Sequence, residues 1–165
     1  MKLLYLGGQK SGKSRLAEAR TLELARERGQ RPIYLATYDD RYGDTEMAAR
    51  LARHKARRQT RFETIEEPIR LDRVVEDGGL YLVDCLSMWI LNLLEAKIDY
   101  ETILAPLLAR EADLVFVLND VGRGIIPDDP LTRRYVDLSG MIGQEVAAAC
   151  DEVYEVVVGI ERRLR

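Results

Sequence analysis

The chain alternates short, unbroken apolar runs with longer stretches of helical spacing. Lys2–Leu6 is such a run and halts at Gly7-Gly8. Ser14–Arg28 follows, with Leu16, Ala19, Leu22, Leu24 and Ala25 at helical spacing, and stops at Gly29, a helix C-terminal signal. The same reading predicts strands at Pro32–Ala36, Arg61–Ile65, Leu80–Val83, Asp113–Leu118 and Val153–Val158. It predicts helices at Thr45–Arg58, Pro68–Glu76, Leu86–Glu95, Tyr100–Arg110 and Thr132–Ala149. Thr37–Asp44 is a polar and aromatic loop, Asp77-Gly78-Gly79 a turn, and Asn119–Leu131, rich in Gly, Asp and Pro, a functional loop.

Strands that are apolar throughout are buried on both faces. The pattern therefore predicts an α/β fold, a mostly parallel central sheet with helices on either side. In such sheets ligands gather at the carboxyl ends of the strands. Those ends are Gly7, Thr37, Asp84 and Asn119, and the most informative local sequences fall on them. No repeat or linker interrupts the pattern, so residues 1–165 are expected to form one domain.

At the first of these ends, Gly7-Gly8-Gln9-Lys10-Ser11-Gly12-Lys13-Ser14 matches the complete pattern G-x-x-x-x-G-K-[ST] between a strand and a helix. Glycines let backbone wrap a phosphate without Cβ clashes, and consecutive N–H groups at a helix N-terminus face the anion. Lys13 supplies a point charge at the β- and γ-phosphates, and the Ser14 hydroxyl is a Mg²⁺ ligand. The expected fold is thus a P-loop NTPase, a RecA-like three-layer sandwich. Asp84 closes the apolar run Leu80–Val83. It reads as a second Mg²⁺ ligand, with an acidic residue in a strand-end turn as the alternative.

The single histidine, His54, stands in Glu46-Met-Ala-Ala-Arg50 … His54-Lys55-Ala56-Arg57-Arg58. At helical spacing Arg50, Arg57 and Arg58 can share its face. An imidazole among arginines suits an anionic substrate and can attack phosphorus to form a covalent intermediate. The same histidine also extends the Met47–Leu51 apolar stripe, so the spacing leaves both readings open.

Composition narrows the classes. At 47% hydrophobic and 32% charged, 165 residues form a globular domain with a real core. A formal charge of −3, with basic residues not pooled, argues against nucleic-acid binding. Cys85 and Cys150 are far apart and read as small hydrophobes in a reducing compartment. One histidine and no cysteine cluster exclude a protein zinc site. No signal peptide and no membrane-spanning apolar stretch are seen, which leads to the expectation of a cytoplasmic protein.

The motifs together resemble the bifunctional adenosylcobinamide kinase/adenosylcobinamide-phosphate guanylyltransferase family of cobalamin biosynthesis, nearly end to end. The matching stretches are Gly7–Glu18, Tyr34-Leu-Ala-Thr37, Glu46–Arg50 with His54-Lys55, Thr64-Ile-Glu66 and Val83-Asp-Cys-Leu86. They continue with Asn119-Asp-Val-Gly122, Gly124-Ile-Ile-Pro127 and Val157-Val-Gly-Ile160. The resemblance implies phosphorylation of adenosylcobinamide with ATP or GTP, then transfer of GMP from GTP to adenosylcobinamide phosphate through a guanylylated His54. It implies nucleotide contacts at Gly7–Ser14, Ala36, Thr37, Tyr38, Lys55, Ala56, Arg57, Arg58, Glu66 and Asp84, and a homotrimer. Departures from the family pattern include Tyr38 where Ser is common, Asp84 where Glu is frequent, and Asp120 for the usual Glu. The rival classes are a P-loop small-metabolite kinase without guanylyl transfer and a nucleotide-dependent regulatory module.

Overall fold

A computed structural model describes residues 1–38, 60–124 and 126–165. The expected helix Thr45–Arg58 and most of the loop Thr37–Asp44 lie outside the described residues. The described strands are β1 (Lys2–Gly7), β2 (Ile33–Ala36), β3 (Glu63–Glu66), β4 (Leu80–Asp84), β5 (Asp113–Asn119), β6 (Glu152–Val157) and β7 (Ile160–Arg163). The helices are α1 (Lys13–Arg28), α2 (Leu71–Val74), α3 (Leu86–Ala96), α4 (Glu101–Leu108) and α5 (Pro130–Ala149).

The strands form one sheet in the order β3-β2-β4-β5-β1-β6-β7. Every neighbouring pair is parallel except β6–β7, which is antiparallel. Side chains alternate across the sheet and build two cores. Leu3, Tyr5, Tyr34, Leu82, Val115 and Val117 pack with Ala17, Leu24 and Ala25 of α1. Leu4, Leu35, Val83, Leu114, Phe116 and Leu118 face the other way, onto Trp89 and Ile90 of α3, Ile103 of α4 and Ile142 of α5. Both cores are closed to solvent, as unbroken apolar strands require, so the expected three-layer, RecA-like architecture holds. Strand β5 separates β1, which leads into Gly7–Ser14, from β4, which ends in Asp84. All three strands deliver their carboxyl ends to one edge.

Among the differences from the sequence reading, three have a visible physical cause. The helix expected over Pro68–Glu76 shrinks to Leu71–Val74. The Glu67 carboxylate accepts from the amides of Ile69 and Arg70 at 2.8 and 2.7 Å. Trp89 Nε1 and Asn92 Nδ2 take the carbonyls of Ile69 and Pro68 at 2.8 and 3.0 Å. Side chains thus claim the backbone groups that a longer helix would need. Helix α5 starts two residues early, at Pro130, because Asp129 caps it by accepting from Thr132 N at 2.7 Å and Pro130 fits the first turn. The chain also has a further strand, β7, whose four residues are all exposed. It has no buried face and so left no apolar signal.

Candidate nucleotide-binding site

The loop between β1 and α1 is built for a close approach to an anion. A Cβ on Gly7 would stand 2.5 Å from Val156 O and 2.7 Å from Ser11 Oγ. Lys10 (φ 58°) and Gly12 (φ 98°) adopt left-handed backbone and turn the chain into α1. No side chain caps the N-terminus of α1 and no acidic residue occupies its first turn. Its first amides and its dipole are therefore left for an incoming anion. Lys13, 6% exposed, folds its Nζ back onto Gly8 O at 3.1 Å. That ammonium sits over the cradle it would serve.

Asp84 lies at the carboxyl end of β4, in register with Ala36 of β2. Ser14 Oγ donates to Asp84 Oδ1 at 3.3 Å, and Tyr34 OH donates to Asp84 Oδ2 at 2.5 Å. The next residue is held as firmly: Cys85 N donates to Thr37 Oγ1 at 3.0 Å, and Thr37 Oγ1 donates to Cys85 O at 2.8 Å. Asn92 Nδ2 then donates to Thr37 O at 2.7 Å. These bonds fix the Asp84 backbone relative to the end of β2, so the carboxylate faces the start of α1 without needing to search for it. A hydroxyl and a carboxylate are hard oxygen donors suited to Mg²⁺, which usually takes one or two protein oxygens and completes its shell with phosphate and water. Ser14 and Asp84 fit such an ion. Among the described residues no group of three or more His, Cys, Asp or Glu side chains forms a self-sufficient metal site.

Two further segments brace the cradle. Asp120 N donates to Gly7 O at 2.9 Å, and Asn119 N donates to Ser87 Oγ at 2.8 Å, which ties the end of β5 to both β1 and α3. Arg123 then bridges Asp120 (2.6 Å) and Glu155 (2.5 Å), and Arg162 meets Glu155 at 2.6 Å. The hydrogen bond from Arg123 holds the Glu155 carboxyl below the ordinary carboxylate range against the opposing effect of burial. On the other side, the β6–β7 hairpin reaches the loop directly: Gly159 N donates to Ser11 O at 2.7 Å.

The structure thus brings Gly7, Gly8, Gln9, Lys10, Ser11, Gly12, Lys13, Ser14 and Asp84 together at one edge. Ala36, Thr37 and Tyr38 follow β2 on that edge, and Glu66 ends β3 in register with Ala36. Thr37 is fully buried and its hydroxyl is committed to Cys85, so its part is to hold the strand ends together. His54, Lys55, Ala56, Arg57 and Arg58 lie outside the described residues. Sequence reasoning placed Tyr34 and Val157–Ile160 in stretches that carry the family resemblance but gave them no site role, since Tyr34 looks like an ordinary core aromatic and the Val156–Gly159 hairpin is 142 residues or more from the P-loop in the chain. Among the described residues no helix is long and apolar enough to cross a membrane.

Comparison with known proteins gives a consistent result. The flagellar accessory protein FlaH from Methanocaldococcus jannaschii superposes with a TM-score of 0.52 over 99% of this chain and 77% of that one, at 10% identity, a likeness of fold alone. The bifunctional adenosylcobalamin biosynthesis protein CobP of Pseudomonas aeruginosa is 39% identical over 175 residues, covering 100% of this chain and 98% of the relative. The bifunctional adenosylcobalamin biosynthesis proteins CobU of Salmonella typhimurium and Escherichia coli are 34% and 32% identical, each over 100% of both chains. The profile of the family described as cobinamide kinase / cobinamide phosphate guanyltransferase matches residues 3–164. With both cores, the phosphate cradle and the matched length in agreement, the chain belongs to the cobinamide kinase / cobinamide phosphate guanyltransferase family.

Proposed function

We propose that this chain, acting as one catalytic domain, phosphorylates adenosylcobinamide with ATP or GTP and then transfers GMP from GTP to the product, giving adenosylcobinamide-GDP. The observation that carries the reading is the family match over residues 3–164 on a chain whose P-loop is complete and faces Asp84. In the first reaction the substrate hydroxyl forms a bond to the γ-phosphorus as the bond to the β-phosphate oxygen breaks. The electron pair leaves with the nucleoside diphosphate and the hydroxyl proton goes to solvent. Gly7–Ser14 amides hold the phosphates, and Lys13 leaves Gly8 O to meet their charge. Ser14 and Asp84 would hold a Mg²⁺ ion, which would neutralise charge on the phosphates.

In the second reaction a nitrogen of His54 forms a bond to the α-phosphorus of GTP and pyrophosphate departs. A phosphate oxygen of adenosylcobinamide phosphate then displaces the imidazole from the guanylyl phosphorus, completing the diphosphate linkage. Arg57 and Arg58 offset the phosphate charge. Ala36, Tyr38, Lys55, Ala56 and Glu66 border the nucleotide. The protein works as a homotrimer, the state that the family resemblance implies.

The test is incubation with α-labelled GTP and Mg²⁺, followed by intact-protein mass measurement. A gain of one GMP that is acid-labile and lost in His54→Ala supports the transferase. No gain where GTP binding is demonstrated removes the covalent step. Kinase turnover of adenosylcobinamide by His54→Ala at near wild-type rate is the expected companion result.

A further inference from the structure

The β6–β7 hairpin meets the phosphate cradle from the far end of the chain. Val157 pairs with Ile160, so Val158 and Gly159 form its two-residue turn. Gly159 N donates to Ser11 O at 2.7 Å. The packing is close enough that a Cβ on Gly12 would stand 3.2 Å from Gly159 Cα. The turn is also strained. Val158 (φ 46°) and Gly159 (φ 84°) both have left-handed backbone, which suits glycine and is unfavourable for a β-branched residue. Such strain persists where the surrounding structure demands it. Val158 is 84% exposed, so burial of its side chain does not account for the conformation. The contact that the turn does make is with the backbone of the cradle. Strand β7, exposed at all four residues, adds nothing to either core, and what it supplies is this turn.

A peptide group is planar, and in its trans form the N–H points opposite to the C=O. Fixing the Ser11 carbonyl on Gly159 therefore fixes the Gly12 N–H, which points away from the hairpin. Among the described residues no acceptor takes that amide. The next peptide is held from the other side: Gly12 O accepts from Leu16 N at 3.1 Å, the first hydrogen bond of α1. The Gly12 amide thus joins the first amides of α1, which a helix leaves without internal partners. We propose that Gly159 is a positioning residue for the cradle: through Ser11 O, its N–H directs the Gly12 amide to the phosphates. This rests on the reading of Gly7–Ser14 as a triphosphate site. Glu155 and Arg162, paired across the two strands and 2.6 Å apart, hold the hairpin together behind the loop.

The test removes one backbone N–H at a time. Cys150 allows the full chain to be joined from residues 1–149 and a synthetic segment 150–165, in which an ester can replace a single amide. Three chains are compared: all amide, ester at Gly159 and ester at Leu164. Leu164 N donates to Val153 O at 2.7 Å, a bond of equal length at the other end of the hairpin. Each chain is titrated by calorimetry with GTP and with inorganic tripolyphosphate in the presence of Mg²⁺. The Gly159 ester should weaken both ligands by roughly fivefold, while the Leu164 ester stays within about twofold of the all-amide chain. Equal affinities in the two esters overturn the positioning role. A second measurement uses the wild-type protein and needs no refolding. Coupling is reciprocal, so a bond that favours the anion is itself favoured by the anion. Saturating tripolyphosphate should slow hydrogen exchange at Gly159 N by roughly fivefold more than at Leu164 N. Equal slowing at both amides also overturns the role. Wild-type protein that binds neither GTP nor tripolyphosphate would instead remove the triphosphate site itself, and the positioning role with it.

Discussion

Ser14 and Asp84 are 70 residues apart in the chain, yet the serine hydroxyl donates to the carboxylate at 3.3 Å. The contact joins the first turn of α1 to the end of β4, across the strand β5 that lies between β1 and β4. Tyr34 holds the other carboxylate oxygen from β2. Asp84→Asn keeps the shape and removes the charge. It should lower Mg²⁺-dependent phosphoryl transfer by roughly 100-fold or more while the fold persists. Tyr34→Phe removes a positioning donor. It should raise the Mg²⁺ concentration needed for half-maximal rate by about tenfold and cost about 1–2 kcal/mol of stability. Mg²⁺ titrations of turnover, with melting curves for each variant, check both; equal Mg²⁺ dependence in Tyr34→Phe and wild type would show that Tyr34 does not position Asp84.

The backbone of the P-loop allows a sharper expectation. At Gly7 an added methyl meets Val156 O at 2.5 Å, and that oxygen is main chain in a paired strand, so it cannot swing away. Gly7→Ala should therefore push β1 and β6 apart, lower stability by about 1–3 kcal/mol and weaken GTP at least tenfold. Gly8→Ala is the control for stability, since nothing lies within 4 Å of its Cβ position. If the two variants unfold at the same denaturant concentration, the close approach to Val156 is not what constrains position 7.

The difference between these glycines bears on what a sequence can disclose. The pattern of Gly7–Ser14 pointed to a tight glycine loop turning into a helix, because the motif is local and each position has a backbone reason. Unbroken apolar runs told that the sheet is mostly parallel and covered on both faces, because burial on both faces leaves no polar alternation. Neither source disclosed that Gly7 is pressed by Val156 or that Tyr34 reaches Asp84, since these depend on strand order and register. The exposed strand β7 and the shortened α2 escaped for a related reason. One has no buried face, and the other loses its backbone partners to Glu67, Trp89 and Asn92, residues that no helical periodicity could weigh.

Cys150 offers a test of the second core, away from the nucleotide. It is 4% exposed at the end of α5, and burial, with the charge of Asp151, pushes its thiol up to about 12. Thiolate is the reactive form, so Cys150 should stay unlabelled by iodoacetamide at pH 8 in the folded protein and react once the chain is unfolded in urea. Peptide mass spectrometry separates it from Cys85. Rapid labelling of Cys150 under native conditions would show that the end of α5 opens readily.

Asp113 starts β5 at the edge of the sheet opposite the cradle, where it accepts from the Met1 amine at 2.6 Å and from Arg28 Nε at 2.9 Å. Burial alone would raise its carboxyl, but the hydrogen bonds and charges of the N-terminus and Arg28 outweigh it and leave the group below its ordinary value. The sign follows from linkage. A carboxyl depressed in the folded state binds its proton more weakly there than in the unfolded chain, so its stabilisation is present above the unfolded value near 4 and is lost as pH falls through the folded one. Asp113→Asn should cost about 1–2 kcal/mol at pH 7, where the carboxylate is ionised. The gap to wild type should hold down to about pH 5 and close progressively below pH 4. Urea unfolding of both proteins across that range measures it, and GTP affinity at pH 7 should not change, because the ion pair lies at the far end of β5 from Asn119. A gap of the same size at pH 3 and pH 7 would mean that the side chain stabilises by packing, and that its charge contributes nothing.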